Sequence, residues 1–214
     1  MSRFVPRTLA ISQRSTPCGD ELPAWSAALA AAGVDALQLR EKDLADRVLL
    51  VAGKGVAAAL SSRVTLLVNG RADIALAIGA RGVHLPSRGV PIARLRHRFP
   101  RLVVGASTHR SDEVELARDA GADYVTFGPV YPPTSKTTAL PAVGPEGLAR
   151  AAALGVPVLA LGGVTLERLP EIAAAGAAGV AAIGAFLDPQ RARSFVAEAH
   201  RLFPDPRTEG ARHP

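Results

Sequence analysis

Short runs of apolar residues alternate along the chain with longer stretches rich in Ala, Leu and Arg. The short runs are apolar almost throughout, which is typical of strands buried on both faces of a parallel sheet. We predict eight strands from these runs: Thr8–Ser12, Ala36–Leu39, Thr65–Val68, Gly82–Leu85, Leu102–Gly105, Tyr124–Phe127, Val156–Leu161 and Gly179–Ile183.

The longer stretches predict helices, and several carry residues that favour helix ends. Glycine follows three of them, where a left-handed residue often ends a helix. Asp188-Pro189 has the order of an N-cap and a first helical residue. The predicted helices are Glu21–Ala32, Leu44–Leu60, Ser111–Ala120, Thr165–Ala175 and Pro189–Leu202.

Eight strands followed by helical stretches predict a (β/α)8 TIM barrel, and 214 residues suffice for one such domain. A doubly wound open sheet is the alternative, but no Gly-x-Gly-x-x-Gly follows the first predicted strand. We therefore expect a single domain over residues 1–214, with the barrel at about 8–202 and a flexible tail at 203–214. Three similar segments, 31–36, 119–124 and 174–179, each join a helix-ending glycine to a strand start, and we expect no chemistry from them.

Composition and charge narrow the classes of partner. The formal net charge is +6, but the arginines are scattered and aromatic residues make up only 4% of the chain. The densest basic group, Arg94, Arg96, Arg98 and Arg101, is interpreted as the solvated face of a short helix. Without an aromatic platform for bases we predict no nucleic-acid partner, whereas a positive balance suits an anionic small substrate.

Other classes are disfavoured by what the sequence lacks. No run approaches the ~18 apolar residues that a membrane span needs, so we predict no membrane association. The residues after Met1 do not resemble a signal peptide, and the single cysteine, Cys18, allows no intrachain disulfide. We therefore expect a cytoplasmic protein.

Candidate cations follow the second and sixth strands, at the barrel end where such folds carry their active sites. Strand alternation places Gln38, Arg40 and Lys42 on one side, and Lys136 lies in a long loop between Gly128 and Gly144. We interpret the three cations as a clamp for an anionic group such as a diphosphate, with ordinary surface charge as the alternative.

Glycines after the last two strands predict a phosphate site. Gly162 and Gly163 precede the predicted helix Thr165–Ala175, and Gly184 follows the eighth strand. Backbone N–H groups at a helix start can approach an anion closely where no Cβ intervenes, although tight turns alone would also explain these glycines.

Two histidines end strands. His109 is the better acid–base candidate, and His84 is interpreted as structural. Glu41 is the only acidic residue at a strand end, and alternation directs it away from Arg40 and Lys42. Because Mg²⁺ prefers one or two carboxylate ligands, we predict no metal site in the protein.

The strand ends carry a set of short segments in a characteristic order: 37–42, Asn69, 82–85, 105–109, 121–124, 127–132 and 161–164. Together these segments resemble the thiamine phosphate synthase/TenI family, over a span from about Leu9 to Ile183. The resemblance implies a (β/α)8 barrel in thiamine biosynthesis and a small phosphorylated heterocycle as substrate. Since members are often oligomeric, it also leaves a homo-oligomer as an option.

Synthase members of this family join hydroxymethylpyrimidine diphosphate to a thiazole phosphate and release diphosphate. The resemblance implies three groups of contacts. The diphosphate is held by the positions that match Arg40, Lys42, Asn69 and Lys136. The pyrimidine pocket is lined by those that match Gln38 and Ser107. The thiazole phosphate is held by those that match Gly163, Ile183 and Gly184.

The chain departs from both branches of the family. Synthases usually carry acidic residues where Gly70 and the segment 86–89 stand here, and those carboxylates serve Mg²⁺–diphosphate binding. The catalytic His of the TenI branch would fall at Pro129. In the loop before Lys136, Thr134 and Ser135 remain as substrate-binding candidates, but the first Thr of the synthase pattern is replaced by Pro133.

Three hypotheses follow from this mixture. The lost carboxylates favour a TenI-like thiazole tautomerase, with His109 as a candidate base. The retained cations support an active synthase. Mg²⁺ is expected as a cofactor only under this alternative, and Arg88 or bound water could replace the metal. A non-catalytic, thiazole-phosphate-binding regulatory protein is the third.

Overall fold

A computed structural model describes residues 4–13, 21–132 and 140–203, and these form the predicted (β/α)8 barrel. Eight parallel strands pair in chain order, and the eighth closes the barrel on the first. The strands are β1 (Thr8–Ile11), β2 (Ala36–Leu39), β3 (Thr65–Asn69), β4 (Gly82–Leu85), β5 (Val103–Thr108), β6 (Tyr124–Phe127), β7 (Val158–Leu161) and β8 (Gly179–Ala182).

Helices follow the strands and cover the outside of the barrel. They are α1 (Leu22–Ala32), α2 (Asp46–Ala59), α3 (Ala72–Ala77), α4 (Ile92–Arg98), α5 (Ser111–Asp119), α6 (Gly144–Ala152), α7 (Leu169–Ala174) and α8 (Pro189–Leu202). At the start of α8 the predicted cap is confirmed, because the Asp188 side chain accepts a hydrogen bond from the Gln190 backbone N–H at 2.9 Å. No helix within the described ranges is long and apolar enough to cross a bilayer.

Two apolar cores explain why the strands are apolar throughout. The larger core lies between the strands and the helices. The smaller core fills the barrel interior, to which seven strands contribute buried side chains: Leu9, Ile11, Ala36, Leu67, Val103, Tyr124, Leu159 and Ala181. Phe203 is buried in the larger core, so the expected flexible tail does not include this residue, and 204–214 lie outside the described part.

Two of the three similar segments carry an aspartate that stabilises the neighbouring strand. Asp35, before β2, accepts hydrogen bonds from the backbone N–H and hydroxyl of Thr8, both at 2.9 Å. Asp123, before β6, accepts one from the Val104 N–H at 2.8 Å. These segments therefore have a structural role at the amino ends of the strands.

The expectation that Arg96 lies on a solvated helix face is wrong. Its guanidinium donates to the carbonyls of Gly121 at 2.7 Å and Leu102 at 2.6 Å, and it also pairs with Asp123. Arg96 thus joins α4 to the segments that precede β5 and β6, because its long side chain reaches the carbonyls of both segments.

Candidate active site

A layer of polar side chains lies inside the barrel at the carboxyl end of the strands. Because successive side chains on a strand alternate between faces, a residue two or four positions beyond an inner-core residue also points inward. Gln38 follows Ala36 in this way, Asn69 follows Leu67, Ser107 follows Val103 and Thr126 follows Tyr124. His84 completes the layer on β4, in register with Asn69 on one side and Gly105 on the other.

Gln38 occupies the most unusual position in this polar layer. Its side chain is only 2% exposed, and its amide N–H donates to Asn69 Oδ1 at 3.0 Å. Its Oε1 atom is buried and has no hydrogen-bond partner among the described residues. Because a buried polar atom is normally paired, this oxygen is available to a donor on a ligand.

His84 is held between three hydroxyl groups. Its Nδ1 lies 3.1 Å from the Tyr124 hydroxyl, and its Nε2 lies 2.9 Å from Ser107 Oγ and 3.4 Å from Thr126 Oγ1. Burial, together with the charge of Arg40, lowers the pKa of His84 to about 3, so the imidazole is neutral at pH 7. Sequence reasoning interpreted His84 as structural and did not predict that it contacts Ser107, a candidate substrate-binding residue.

The two predicted cations after β2 stand at the mouth of the barrel. The backbone N–H of Arg40 donates to Ser12 Oγ at 2.9 Å, and Ser12 Oγ donates to the buried Glu41 carboxylate at 2.5 Å. Burial lowers the pKa of Arg40, whereas the charge of Glu41 raises it. The charge of Arg40, followed by partial burial, lowers the pKa of Lys42. The charge of Arg40 thus disfavours the charged form of Lys42, and an anion bound beside both side chains would offset this repulsion.

The glycine corner after β7 and β8 borders a cavity of about 750 Å³. Gly162 and Gly163 have φ angles of 94° and 61°, and a Cβ at Gly163 would lie 2.7 Å from the Tyr131 Cβ. At Gly184 a Cβ would meet no described atom within 4 Å, so open space adjoins this backbone. Ile183 and Gly184 line the same cavity as Gly163, which brings together the three residues predicted for the thiazole phosphate.

The predicted helix Thr165–Ala175 is present, but its first turn is not α-helical. A single turn of 3-10 helix, Leu166–Arg168, comes first, and α7 begins only at Leu169, where Pro170 favours a helix start. Arg168 was missed by sequence reasoning, which placed it inside a helix. It lines the cavity, donates to the Gly163 carbonyl at 2.5 Å and lies 4.2 Å from the centre of the Tyr131 ring.

His109 lies beside the loop that follows β6. Its Nδ1 is 2.5 Å from the Gly128 carbonyl oxygen, and its backbone N–H donates to Glu113 at 2.7 Å. Since a carbonyl can only accept, Nδ1 carries the proton and Nε2 is the basic nitrogen of the neutral ring. Pro129, at the position of the expected TenI base, follows Gly128 directly.

Some of the predicted site residues lie in parts of the chain that the structure does not describe, and a metal site can be sought only among the described residues. Thr134, Ser135 and Lys136 lie outside the described residues, as does Cys18. Within the described ranges, no group of three or more His, Cys, Asp or Glu side chains could hold a metal ion. The two carboxylates expected of a synthase are replaced by Gly70 and, after the His-Leu turn, by the segment 86–89.

The fold and the site define a class: a (β/α)8-barrel protein with cations, a polar layer and a glycine-bordered cavity at the carboxyl ends of its strands. Residues 9–186 match the family model described as thiamine monophosphate synthase, and the chain belongs to this family. The resemblance inferred from the strand-end segments is thereby confirmed, while the TenI-like branch stays a prediction.

Named relatives and a solved structure agree with this assignment. A Geobacter sulfurreducens protein named "Putative thiamine-phosphate synthase" is 43% identical over 195 residues, which cover 87% of this chain and 91% of the relative. The thiamine-phosphate synthase of Anaeromyxobacter dehalogenans is 39% identical over 172 residues, 78% of each chain. The thiamine phosphate pyrophosphorylase structure from Pyrococcus furiosus has a TM-score of 0.81 at 26% identity and covers 92% of this chain and 97% of its own.

Proposed function

We propose that this protein is an active thiamine phosphate synthase, which joins hydroxymethylpyrimidine diphosphate to a thiazole phosphate. The observation that carries the proposal is the buried Oε1 of Gln38 within the polar layer, which has no hydrogen-bond partner in the part of the chain that the structure describes. A buried acceptor is destabilising until a donor reaches it, and the amino group of an aminopyrimidine is such a donor. A site that bound only a thiazole phosphate at the glycine corner would leave this oxygen without a use.

The reaction is a substitution at the methylene carbon attached to the pyrimidine ring. The bond from this carbon to the diphosphate oxygen breaks, and the oxygen takes the electron pair. The thiazole nitrogen then donates its lone pair to the same carbon, so the product is a thiazolium cation and no proton is transferred. The protein therefore has two tasks, which are to stabilise the leaving diphosphate and to align the two rings.

Arg40 and Lys42 perform the first task in this proposal. Burial disfavours the charge of Arg40, and the charge of Arg40 disfavours that of Lys42, so a diphosphate beside them would stabilise both charged forms. The developing charge on the leaving group is larger in the transition state than in the bound substrate. Fixed cations at the mouth consequently lower the barrier and do not merely tighten binding.

The glycine corner performs the second task by holding the thiazole phosphate. Gly163 and Gly184 allow an anion to approach the backbone, and Arg168 fixes the carbonyl of Gly163 so that the loop keeps its shape. The cavity of about 750 Å³ is large enough for a small phosphorylated heterocycle.

Mg²⁺ assists diphosphate binding in the synthases that this chain resembles, but the side chains present here do not fit a protein-held Mg²⁺. Gly70 offers no carboxylate, and the buried Glu41 accepts a hydrogen bond from Ser12. In this proposal the positive charges of Arg40 and Lys42 bind the diphosphate without Mg²⁺. Diphosphate release that needs added Mg²⁺ would contradict that part of the proposal.

The test supplies the purified protein with both synthase substrates and measures diphosphate release, with and without a chelator. We expect release that requires both substrates and that falls at least tenfold in Lys42→Ala. Lys54→Ala is the matched control, because Lys54 is exposed on α2, outside the site, and should leave the rate unchanged. No release above background from the wild-type protein would refute the synthase proposal.

A TenI-like thiazole tautomerase is the second candidate, and the geometry of His109 favours it. The Gly128 carbonyl orients the His109 ring so that Nε2 is the nitrogen that can accept a proton. Gly128 is followed directly by Pro129, the position at which the TenI branch carries its catalytic base. This candidate predicts isomerisation of a carboxythiazole phosphate and its loss in His109→Ala. Isomerisation that survives this substitution would remove His109 from the mechanism. Thiazole phosphate binding without either reaction would leave the binding-protein hypothesis.

A further inference from the structure

We propose that Tyr124 and His84 are positioning residues that make Ser107 a hydrogen-bond donor toward the substrate ring. Together with the Oε1 acceptor of Gln38, Ser107 would then select a ring nitrogen that accepts a hydrogen bond beside an amino group that donates one. The inference rests on the proposed synthase function and specifies how the pyrimidine is recognised.

The first step concerns the Tyr124 hydroxyl. Tyr124 is fully buried in the inner core, and its ring lies directly over Gly105, where a Cβ would come within 2.2 Å of the Tyr124 Cζ. Among the described residues, the one hydrogen bond of this hydroxyl is to His84 Nδ1 at 3.1 Å. A buried O–H group needs an acceptor, so the hydroxyl donates and His84 Nδ1 accepts.

The second step concerns the proton of His84. The ring is neutral, because burial and the charge of Arg40 hold its pKa far below 7, and it therefore carries a single N–H. Since Nδ1 accepts from Tyr124, the proton is on Nε2, which donates to Ser107 Oγ at 2.9 Å. Thr126 Oγ1, at 3.4 Å from the same nitrogen, is a weaker second acceptor. The opposite tautomer would leave the Tyr124 proton without an acceptor in an apolar core.

The third step concerns the polarity of the pocket. Ser107 Oγ already accepts from His84, so its own proton is free to point at a ligand in the layer that it shares with Gln38. A donor at Ser107 and an acceptor at Gln38 complement the ring nitrogen and neighbouring amino group of a 4-aminopyrimidine. A 4-oxopyrimidine presents a ring N–H beside a carbonyl, which is the reverse pattern, and it would be rejected.

The direct test is the tautomer of His84 in the ligand-free protein. Long-range ¹H–¹⁵N NMR of histidine-labelled protein distinguishes a protonated from an unprotonated ring nitrogen, and a His84→Asn variant assigns the signal. We expect Nε2 protonated and Nδ1 hydrogen-bonded. In Tyr124→Phe the Nδ1 signal should move toward that of a nitrogen without a hydrogen bond. A wild-type His84 with the proton on Nδ1 would overturn the inference even if the enzyme proves active.

The second test measures recognition. We expect 4-amino-5-hydroxymethylpyrimidine to bind at least tenfold more tightly than its 4-oxo analogue in calorimetry. Tyr124→Phe should raise the KM for the pyrimidine diphosphate about three- to tenfold, as for loss of one hydrogen bond, and should leave the KM for thiazole phosphate unchanged. The matched control is Ser26→Ala, which removes a buried hydroxyl from α1 that bonds only locally to the Leu22 carbonyl. Equal affinity for the two rings would refute the selection, whereas selective binding without diphosphate release would refute only the synthase function.

Discussion

Substitution of Gly163 by alanine tests the phosphate corner. Gly163 has a φ of 61°, and an alanine in this left-handed conformation costs roughly 1–2 kcal/mol. The added Cβ would also lie 2.7 Å from the Tyr131 Cβ and 3.1 Å from the Arg168 guanidinium. Such overpacking adds roughly 1–3 kcal/mol. We expect a total near 3 kcal/mol, which for a chain of this length lowers the Tm by about 6–12 °C.

Gly79→Ala is the matched control for this substitution. Gly79 has a nearly identical φ of 70°, but a Cβ there would meet no atom of the described residues within 4 Å. It therefore shares the backbone strain and lacks the contact with Tyr131. We expect a loss of roughly 1–2 kcal/mol and of about 2–8 °C in Tm.

The assay combines thermal unfolding with calorimetric titration of a thiazole phosphate. Displacement of Tyr131 and Arg168 would move the backbone that faces the cavity, so we expect Gly163→Ala to weaken binding at least tenfold. Gly79→Ala lies outside the cavity and should bind as the wild type does. If the two variants lose equal stability and both keep their affinity, the phosphate is bound elsewhere and the argument from the glycine corner is refuted.

Three further predictions concern charge, pH and space. Asp123→Ala should lower the free energy of unfolding, measured in urea, by roughly 2–4 kcal/mol, because the Arg96 side chain is only 22% exposed and loses its carboxylate partner. Asp119→Ala, which breaks an exposed ion pair with Arg118, should change the free energy of unfolding by less than about 1 kcal/mol. Burial disfavours the charged form of His84, whose pKa is about 3 when folded against about 6.5 when unfolded. Stability should therefore fall as the pH drops below 6.5, by about 2 kcal/mol at pH 5, and a His84→Asn variant should show a flatter dependence. Gly184→Ala should leave the Tm unchanged but weaken thiazole phosphate binding, since its methyl group enters open space in the cavity; unchanged binding would place the phosphate away from Gly184.

The fold could be predicted from the sequence because buried parallel strands leave a local signal. All eight predicted strands are present, and the errors are confined to their ends. The fifth strand shows why. It continues to Thr108, because Ser107 pairs with His84 inside the barrel and the Thr108 hydroxyl donates to the Thr126 carbonyl, whereas the pattern of apolar residues stops at Ala106. Strand alternation also predicted an inward position for Gln38, whose amide bonds to Asn69 in the structure.

The contacts that the sequence did not predict are those between distant residues. Arg96 was assigned to a solvated face because its carbonyl partners lie 6 and 25 residues away, and no periodicity reports such a pair. Tyr124 has the pattern of an ordinary core residue, and its hydroxyl gains a role only because His84 lies opposite, 40 residues earlier in the chain. The family resemblance predicts residues that contact a ligand, but the contact between Tyr124 and His84 became visible only in three dimensions.

The position of the polar layer links stability to function in this barrel. Below it, the inner core consists almost entirely of aliphatic side chains, which need no partners. One step further toward the carboxyl ends, the same inward positions carry Gln38, Asn69, His84 and Ser107. A buried amide oxygen without a partner, as at Gln38 among the described residues, destabilises a folded protein by roughly 1–3 kcal/mol, and an aliphatic residue would avoid that cost. A ligand that donates a hydrogen bond to this oxygen would remove the penalty, and the free energy recovered would add to the affinity. A barrel that served only as a scaffold would gain stability from aliphatic residues at these positions, so the polar layer supports the ligand recognition proposed above.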